Sequence, residues 1–269
     1  MKLLKFYRLF AVVIIITFSS FNLYAINKII IASTTSTYDT GLLDLLNKKF
    51  TDKFNVNVQV LSLGTGQAIR TAKDGNAEVL LVHHKPSELK FMNQGYGLER
   101  IEIMYNDYVL VGPKNDSKKC LSVKEKLKEI YNDKKLFISR GDDSGTNLKE
   151  LELWKLTNII IEDNFDWYLN IGQGMGNAIL IANEKNAYTL SDRSTWIAFN
   201  KKENLKIVCE NFPPLFNQYG LILVNPKLNK NLNYKDAKKY VDWYKSFEVK
   251  KLINSFQSKG KQLFYYNYN

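Results

Sequence analysis

Four short stretches of this 269-residue chain combine hydroxyl side chains, glycines and one arginine in a pattern that could bind an anion. They are Ser-Thr-Thr-Ser-Thr at 33–37, Gly-Thr-Gly at 64–66, Ser-Arg-Gly-Asp-Asp-Ser-Gly-Thr at 139–146 and Gly-Gln-Gly-Met-Gly at 172–176. Hydroxyls and backbone N–H groups donate hydrogen bonds, so such stretches can hold an anion without a metal. Helix capping explains any one of them equally well. Their fourfold recurrence favours a shared ligand.

The third stretch is the most informative because Arg140 adds a permanent charge and a forked donor. We expect Asp142 to hold its guanidinium, while the Ser144 and Thr146 hydroxyls and the Gly145 amide point at the anion. The alternative is a surface Arg–Asp pair on a loop, which contributes little.

Catalytic and metal-binding patterns are missing from the sequence. It contains no G-x-S-x-G elbow, no H-E-x-x-H and no cysteine in a polar turn, so we predict a protein that is not an enzyme and needs no cofactor. The 172–176 stretch lacks the spacing of a dinucleotide fingerprint. His83 and His84 are neighbours on an expected strand and point to opposite faces, which predicts a structural role and no metal.

Each polar stretch follows an apolar run and precedes a segment with helical spacing. The apolar runs cover residues 28–32, 56–63, 136–138 and 167–171. Strand, polar turn and helix in this order predict an α/β fold with largely parallel sheets, whose ligands collect beyond the carboxyl ends of the strands. Two turns before residue 112 and two after it predict two lobes around a cleft. The apolar strands at 109–111 and 221–224 are expected where the chain crosses between lobes, and the helical segment after Tyr234 should pack on the first lobe.

The amino terminus has the layout of a secretory signal peptide. Lys2, Lys5 and Arg8 precede the apolar residues 9–16, and the small residue Ala25 follows, which predicts cleavage after Ala25. The alternative, a membrane anchor, needs about 18 uninterrupted apolar residues. No cysteine near Ala25 offers lipid attachment. We therefore predict a periplasmic protein without stable membrane insertion. Whether Cys120 and Cys209 pair is left open.

The chain is basic, with a formal charge of +11, or +8 once the three cationic residues of the leader are removed (11 − 3). A basic protein attracts anions over long range. Nucleic acid is not the expected partner, because lysines alternate with acids, as in residues 124–129, which is typical of a solvated helix surface.

Together these stretches resemble the substrate-binding proteins of tungstate ABC importers, the TupA type. The matching residues are 34–37 with Asp39, 41–44, 64–66, 79–83, 104–107, 111–113, 139–146, 172–176, 187–190 with Asp192 and Arg193, and 219–220. The chain departs from the family pattern at Ser33, where threonine is usual, and at His84 and Lys85, where small residues are common.

The resemblance implies a type II periplasmic binding protein: two α/β lobes joined by a two-strand hinge. Lobe 1 would comprise residues 26–111 and 217–269, and lobe 2 residues 112–216. It implies a monomer that passes tungstate or molybdate to an ABC permease and its ATPase. The implied anion contacts are Thr34, Thr35, Ser36, Thr65, Arg140, Ser144, Gly145 and Thr146.

The main alternatives are a phosphate- or sulfate-binding protein of the same fold, because the 140–146 stretch is also similar to the signature turn of phosphate-binding proteins. Phosphate near neutral pH keeps a proton and rewards a carboxylate acceptor, whereas tungstate, molybdate and sulfate only accept hydrogen bonds. If Asp142 and Asp143 are both engaged by arginine or backbone donors, dianions are favoured. An enzyme acting on phosphoryl groups would need a nucleophile or metal cluster.

Overall fold

A computed structural model describes residues 27–162 and 165–268. The predicted signal peptide, residues 1–25, lies outside the described residues. The strands are β1 (Asn27–Thr34), β2 (Val56–Leu63), β3 (Val79–Val82), β4 (Gly97–Pro113), β5 (Phe137–Ser139), β6 (Tyr168–Asn170), β7 (Thr189–Asp192), β8 (Leu205–Cys209), β9 (Phe216–Val224), β10 (Gln257–Ser258), β11 (Lys261–Gln262) and β12 (Tyr265–Tyr266). The α-helices are α1 (Thr35–Tyr38), α2 (Leu42–Phe54), α3 (Thr65–Lys73), α4 (Lys85–Asn93), α5 (Val123–Asn132), α6 (Gly145–Leu156), α7 (Met175–Lys185), α8 (Arg193–Ala198), α9 (Tyr234–Tyr244) and α10 (Phe247–Ser255).

The first sheet has the strand order β12-β4-β9-β3-β1-β2. β1 lies between β3 and the edge strand β2 and runs parallel to both, whereas β9 runs antiparallel to both β3 and β4. The sheet is therefore mixed. The expectation of parallel strands is correct for β1–β3 and for β5 with β6, whereas β4, β7, β8 and β9 pair antiparallel. β4 and β9 are the two longest strands, and β4 extends beyond this sheet to pair with β7 and β8.

The second group of strands is built on the far end of β4. Residues 108–111 of β4 pair with β7 and residues 110–113 with β8, both antiparallel. β5 pairs with β6 in parallel, and the Ile138 N–H donates to the Tyr188 carbonyl at 2.7 Å, which ties β5 to the residues just before β7. We call the part built on β1–β3 and β9 the β1 side, and the part built on β5–β8 the β5 side.

Two extended stretches connect the sides: β4, and the start of β9 at Phe216, which follows β8 of the β5 side. β4 changes partners between Asp107, which pairs with Phe216, and Tyr108, which pairs with Asp192. The expectation of a crossing at 221–224 is wrong, because these residues pair with β3 and β4 in the middle of the first sheet. Their continuous apolar character reflects burial on both faces of a central strand. The lobe boundaries given above stay a prediction.

Helices cover both faces of the first sheet. The apolar residues of α2 (Leu42, Leu43, Leu46 and Phe50) pack with Tyr240 and other residues of the carboxyl-terminal helices α9 and α10. This confirms the expected docking of the segment after Tyr234. On the opposite face, α3 and α4 contribute a second core that includes Ala68, Ala72 and Phe91. Close packing on both faces holds the sheet in place, and with it the positions of the turns that follow β1 and β2.

The β5 side has two cores of its own, one of which contains the disulfide. Cys120 and Cys209 are bonded, with Cα atoms 5.5 Å apart, so the pairing that the sequence left open is made. Trp154 and Phe137 belong to the same core as Cys209. No helix in the described part of the chain is long and apolar enough to cross a membrane.

Candidate anion-binding site

The first two polar turns lie side by side because the strands that precede them are parallel neighbours in register. Thr34 at the end of β1 pairs with Leu63 at the end of β2. After Thr34 the chain forms the single-turn helix α1, where the sequence suggested a plain turn. The Thr34 hydroxyl lies 2.7 Å from that of Thr37 and 3.4 Å from that of Ser36. The first turn is therefore a compact group of hydroxyls, and Thr34, Ser36 and Thr37 are buried.

The third turn is held by its own acidic residue, as predicted. Arg140 Nη2 donates to Asp142 Oδ2 at 2.5 Å, and the Ser144 N–H donates to Asp142 Oδ1 at 3.3 Å. Ser144 caps α6 by accepting a hydrogen bond from the Asn147 N–H at 3.2 Å. A hydroxyl that accepts in this way keeps its own proton for another acceptor. Arg140 itself is 2% exposed, so the alternative of a surface Arg–Asp pair is wrong.

The second and third turns touch each other across the two sides. The Gly66 N–H donates to the Asp143 carbonyl at 3.2 Å. A Cβ atom at Gly64 would stand 3.3 Å from the Asp142 carbonyl oxygen, tighter than most contacts of a real side chain. Gly64 therefore favours the close approach of the two backbones. Asp143 points outward and lies 3.5 Å from Arg70 of α3.

His83 links the first turn to the third. Its Nε2 atom is 3.4 Å from the Ser36 hydroxyl, and its ring packs on Gly145, where an added Cβ would come within 2.6 Å of the imidazole. The structure thus brings together the turns at 33–37, 64–66 and 139–146, which contain all eight predicted contact residues. That those residues contact an anion remains a prediction.

Three buried side-chain atoms at the junction of the turns have no hydrogen-bond partner within the described chain. They are Thr65 Oγ1, Arg140 Nε and Thr146 Oγ1. Thr65, Arg140 and Thr146 are each at most 2% exposed. Leaving a buried polar group unsatisfied costs about 1 to 3 kcal/mol, so such groups normally have a partner. Three of them on two touching turns indicate a ligand that accepts hydrogen bonds.

His83 is the first of two residues near the site that the sequence did not indicate. Burial lowers its pKa to about 3, and the nearby Arg140 adds to this effect, so the imidazole is neutral. Its Nδ1 atom lies 2.8 Å from the Tyr108 hydroxyl and 3.1 Å from Asn217 Oδ1. Tyr108 and Asn217 stand on the two connecting strands. The signal available in the sequence was position, because His83 follows β3, the other parallel neighbour of β1.

In the described residues, no group of three or more potential metal-binding side chains occurs. The role expected for His83 was structural, and it does pack between elements. It also lies against the candidate site, which the sequence did not indicate.

A second missed residue is Asp192, a fully buried carboxylate near Arg140. It caps α8 by accepting from the Thr195 N–H at 2.9 Å and from the Thr195 hydroxyl at 2.6 Å. Burial raises its pKa, while the hydrogen bonds from Thr195 and the charge of Arg140 act in the opposite direction. Asp142 and Asp192 are thus both engaged by donors from the protein.

The fourth polar turn supports the third instead of joining the other two. The Ile171 N–H donates to the Ser139 carbonyl at 3.1 Å, and the Gln173 N–H donates to the Arg140 carbonyl at 3.2 Å. Residues 172–174 are exposed. The glycine-rich stretch therefore braces the backbone on which Arg140 stands.

Known proteins are similar to this chain over most of its length. The profile of the PBP superfamily domain matches residues 25–248. A "Tungstate-binding protein TupA" from Peptoclostridium acidaminophilum is 45% identical over 234 residues, which cover 85% of this chain and 81% of the relative. The protein of the same name from Campylobacter jejuni is 40% identical over 85% of this chain and 87% of its own.

A solved structure gives the same result at the level of the fold. The tungstate-binding protein TupA from Desulfovibrio alaskensis G20 superposes with a TM-score of 0.77 at 37% identity, covering 90% of this chain and 100% of its own. The two-sided α/β architecture, the turns and the extent of these matches lead to one assignment. The chain belongs to the PBP superfamily and, within it, to the TupA family of ABC-transporter substrate-binding proteins.

Proposed function

We propose that this protein captures tungstate in the periplasm and delivers it to an ABC permease and its ATPase. The anion would be held by Thr34, Thr35, Ser36 and Thr65 from the β1 side and by Arg140, Ser144, Gly145 and Thr146 from the β5 side. Binding and release, without a chemical step, would be its whole task. The relatives named above as tungstate-binding proteins support this proposal.

One observation carries the proposal: the unpartnered Thr65 Oγ1, Arg140 Nε and Thr146 Oγ1 are all buried donors. An oxyanion offers several acceptor oxygens, so one ion can satisfy donors that approach from different elements. Thr65 and Thr146 also stand in the first turns of α3 and α6, where backbone N–H groups and the helix dipole favour negative charge.

The engaged carboxylates favour a dianion over phosphate. Asp142 accepts from Arg140 and Ser144, and Asp192 accepts twice from Thr195. Asp143 is the remaining acid of the turn, and it faces solvent and Arg70. A protonated oxyanion would need a free acceptor in the site, whereas tungstate, molybdate and sulfate need donors alone. Tungstate over molybdate rests on the named relatives.

Export and closure complete the proposal. We infer that residues 1–25 are a cleaved leader, that the mature protein acts as a monomer, and that residues 26–111 with 217–269 and residues 112–216 form the two lobes. The Cys120–Cys209 disulfide supports an oxidising compartment. The contacts between the turns across the two sides are those expected of a closed cleft.

The test is a calorimetric titration of the mature, anion-stripped protein with tungstate, molybdate, sulfate and phosphate. We expect tungstate and molybdate to bind most tightly and phosphate most weakly. Tightest binding to phosphate, or no binding of tungstate, would contradict the proposal.

The Arg140→Ala variant tests the charged donor in the same assay. It should bind tungstate about 1.5 to 3 kcal/mol more weakly, the range for a hydrogen bond to a charged group. Lys48→Ala is a suitable control, because Lys48 is an exposed cation paired with Asp52 on α2, away from the turns. An unchanged affinity in Arg140→Ala would remove Arg140 from the site.

A further inference from the structure

The helix that follows the third turn carries a buried carboxyl group. Glu150 is on the second turn of α6 and is 3% exposed. The Tyr168 hydroxyl donates to its Oε1 atom at 2.6 Å, and Trp154 Nε1 donates to the same atom at 3.2 Å. Both donors are neutral. In the described part of the chain, no lysine, arginine or histidine forms an ion pair with Glu150.

Ser139 stands between Glu150 and the turn, and its hydroxyl favours the charged form of this carboxyl and so lowers its pKa. Ser139 Oγ accepts from Asn147 Nδ2 at 3.2 Å, and Asn147 Oδ1 accepts from the Asp143 N–H at 3.2 Å. Asp143 has a φ of 59°, a conformation that a non-glycine residue adopts at some cost and holds only with support. The Asn147 side chain, itself bonded to Ser139, supplies that support.

The groups around the Glu150 carboxyl, together with its burial, set its pKa. Four groups face it: Tyr168 from β6, Ser139 from β5, Trp154 from its own helix, and the like charge of Asp142 from the turn. Burial raises its pKa to about 7 and Asp142 adds to the rise, while the polar groups of Tyr168, Ser139 and Trp154 act against it. Near neutral pH, both protonation states are therefore populated in the free protein.

We propose that Glu150 is a positioning residue that takes up one proton from solvent when a dianion binds at the third turn. The dianion adds negative charge close to the carboxylate, and the carboxylic acid removes the repulsion while keeping its place among Tyr168, Trp154 and Ser139. The turn thus keeps its supporting hydrogen bonds in the bound state. This inference rests on the proposed function of the turn as an anion site.

The sign of the pH dependence follows from linkage. The bound protein holds more protons than the free protein, so lowering the pH favours binding. The dissociation constant should therefore rise with pH around pH 7, with a limiting slope of a factor of about ten per pH unit, since one proton is exchanged.

The experiment counts protons by titrating tungstate and sulfate at about pH 7.5 in two buffers that differ in ionisation enthalpy. Phosphate is left out because it exchanges its own proton in this range. Wild-type protein should take up a fraction of a proton per anion bound, and Glu150→Gln should take up none. Glu184→Gln, an exposed acid on α7, is the matched control and should behave as wild type.

Histidine is the other side-chain class that exchanges protons near neutral pH, so the series includes His84→Ala. This variant should keep the uptake. The proposal is overturned if wild type takes up no proton, if Glu150→Gln keeps the uptake, or if His84→Ala loses it. Should Glu150→Gln fail to fold, a wild-type dissociation constant that does not change between about pH 6 and about pH 8.5 would equally overturn it.

The two proposals fail in different ways. Absence of tungstate binding contradicts the proposed function, while proton uptake with sulfate still decides the role of Glu150. Tight tungstate binding without proton uptake leaves the function intact and removes Glu150. If neither anion binds, both proposals are wrong.

Discussion

Thr146 and Thr157 stand at opposite ends of α6 and differ in what their hydroxyls contact. Thr157 Oγ1 donates to the Trp154 carbonyl at 2.6 Å, whereas Thr146 Oγ1 is buried without a partner in the described chain. A buried donor that the protein leaves unsatisfied reduces stability and can be explained by a ligand that needs it. At the scale of single residues, the site is therefore recognised by buried donors that have no hydrogen-bond partner in the described chain.

Replacing each threonine by valine separates binding from folding. Thr146→Val removes a donor that has no internal partner, so we expect tungstate affinity to fall by about 1.5 to 3 kcal/mol while the free protein unfolds at the same or higher denaturant concentration. Thr157→Val removes a made hydrogen bond and should lower the unfolding free energy by about 0.5 to 1.5 kcal/mol with affinity unchanged. Calorimetry and urea unfolding measure the two quantities. An unchanged tungstate affinity in Thr146→Val would show that Thr146 is not a contact.

His83 makes a pH prediction because burial lowers its pKa to about 3. In the unfolded chain a histidine titrates near 6.5, so the unfolded state binds more protons between these two values. The stabilisation from the neutral imidazole is thus complete above about pH 6.5 and is lost as the pH falls toward 3, at about 1.4 kcal/mol per pH unit.

Nitrogen-15 chemical shifts of the imidazole measure this directly. We expect the His83 ring in the folded protein to remain neutral from about pH 8 to about pH 5. The His83→Gln variant should reduce the pH dependence of the unfolding free energy in the same range. Titration of the His83 ring near pH 6.5 would contradict the prediction.

At the scale of elements, the site depends on contacts that join the β1 side to the β5 side. His84 at the start of α4 is 3.0 Å from Glu152 of α6, and its other ring nitrogen is 2.7 Å from the Ser87 hydroxyl. The hydrogen bond from His84 is the main cause that lowers the pKa of Glu152. Together with the Gly66–Asp143 backbone hydrogen bond, this pair holds α3 and α4 against the loop and helix that contain the anion turn.

Glu152→Gln weakens this contact without touching the polar turns. Because the pair is partly exposed, the loss should be about 0.2 to 1 kcal/mol, a factor of about 1.5 to 5 in affinity. We expect the loss to appear as faster anion release in stopped-flow measurements, since the pair joins α4 on the β1 side to α6 on the β5 side. Glu125→Gln, an exposed acid on α5, is the control. An unchanged release rate in Glu152→Gln would remove this pair from closure.

At the scale of the whole molecule, the two sides have separate cores and share β4 and the start of β9. The β1 side surrounds its sheet with helices on both faces. The β5 side has a core in which the disulfide joins the segment before α5 to β8 across 89 residues of chain. A long closed loop of this kind restricts the unfolded chain most.

Removing the disulfide should therefore destabilise the protein without abolishing binding. The Cys120→Ser/Cys209→Ser double variant should lose about 2 to 5 kcal/mol of unfolding free energy. Its tungstate affinity should stay within about twofold of wild type under folding conditions, because neither cysteine is in the polar turns. Wild type treated with reductant should unfold like the variant. Equal stability of the oxidised and reduced proteins would contradict this prediction.

The sequence by itself determined the local elements of the site. Strand, polar turn and helix are encoded by neighbouring residues, so β2, the turns at 64–66 and 139–146 and the Arg140–Asp142 pair could all be predicted. The resemblance to the TupA family added the identity of the ligand class. These features involve residues a few positions apart, where residue type and spacing limit the geometry.

The tertiary structure decided which turns meet. The β1–β2 register places the first two turns together, and the second touches the third, whereas the fourth stays behind Arg140. Long-range packing also brought His83 against Gly145 and Cys120 against Cys209. The crossing expected at 221–224 was misplaced because an apolar run does not reveal which strands flank it. Contacts between distant residues depend on strand order and burial, which local sequence patterns do not specify.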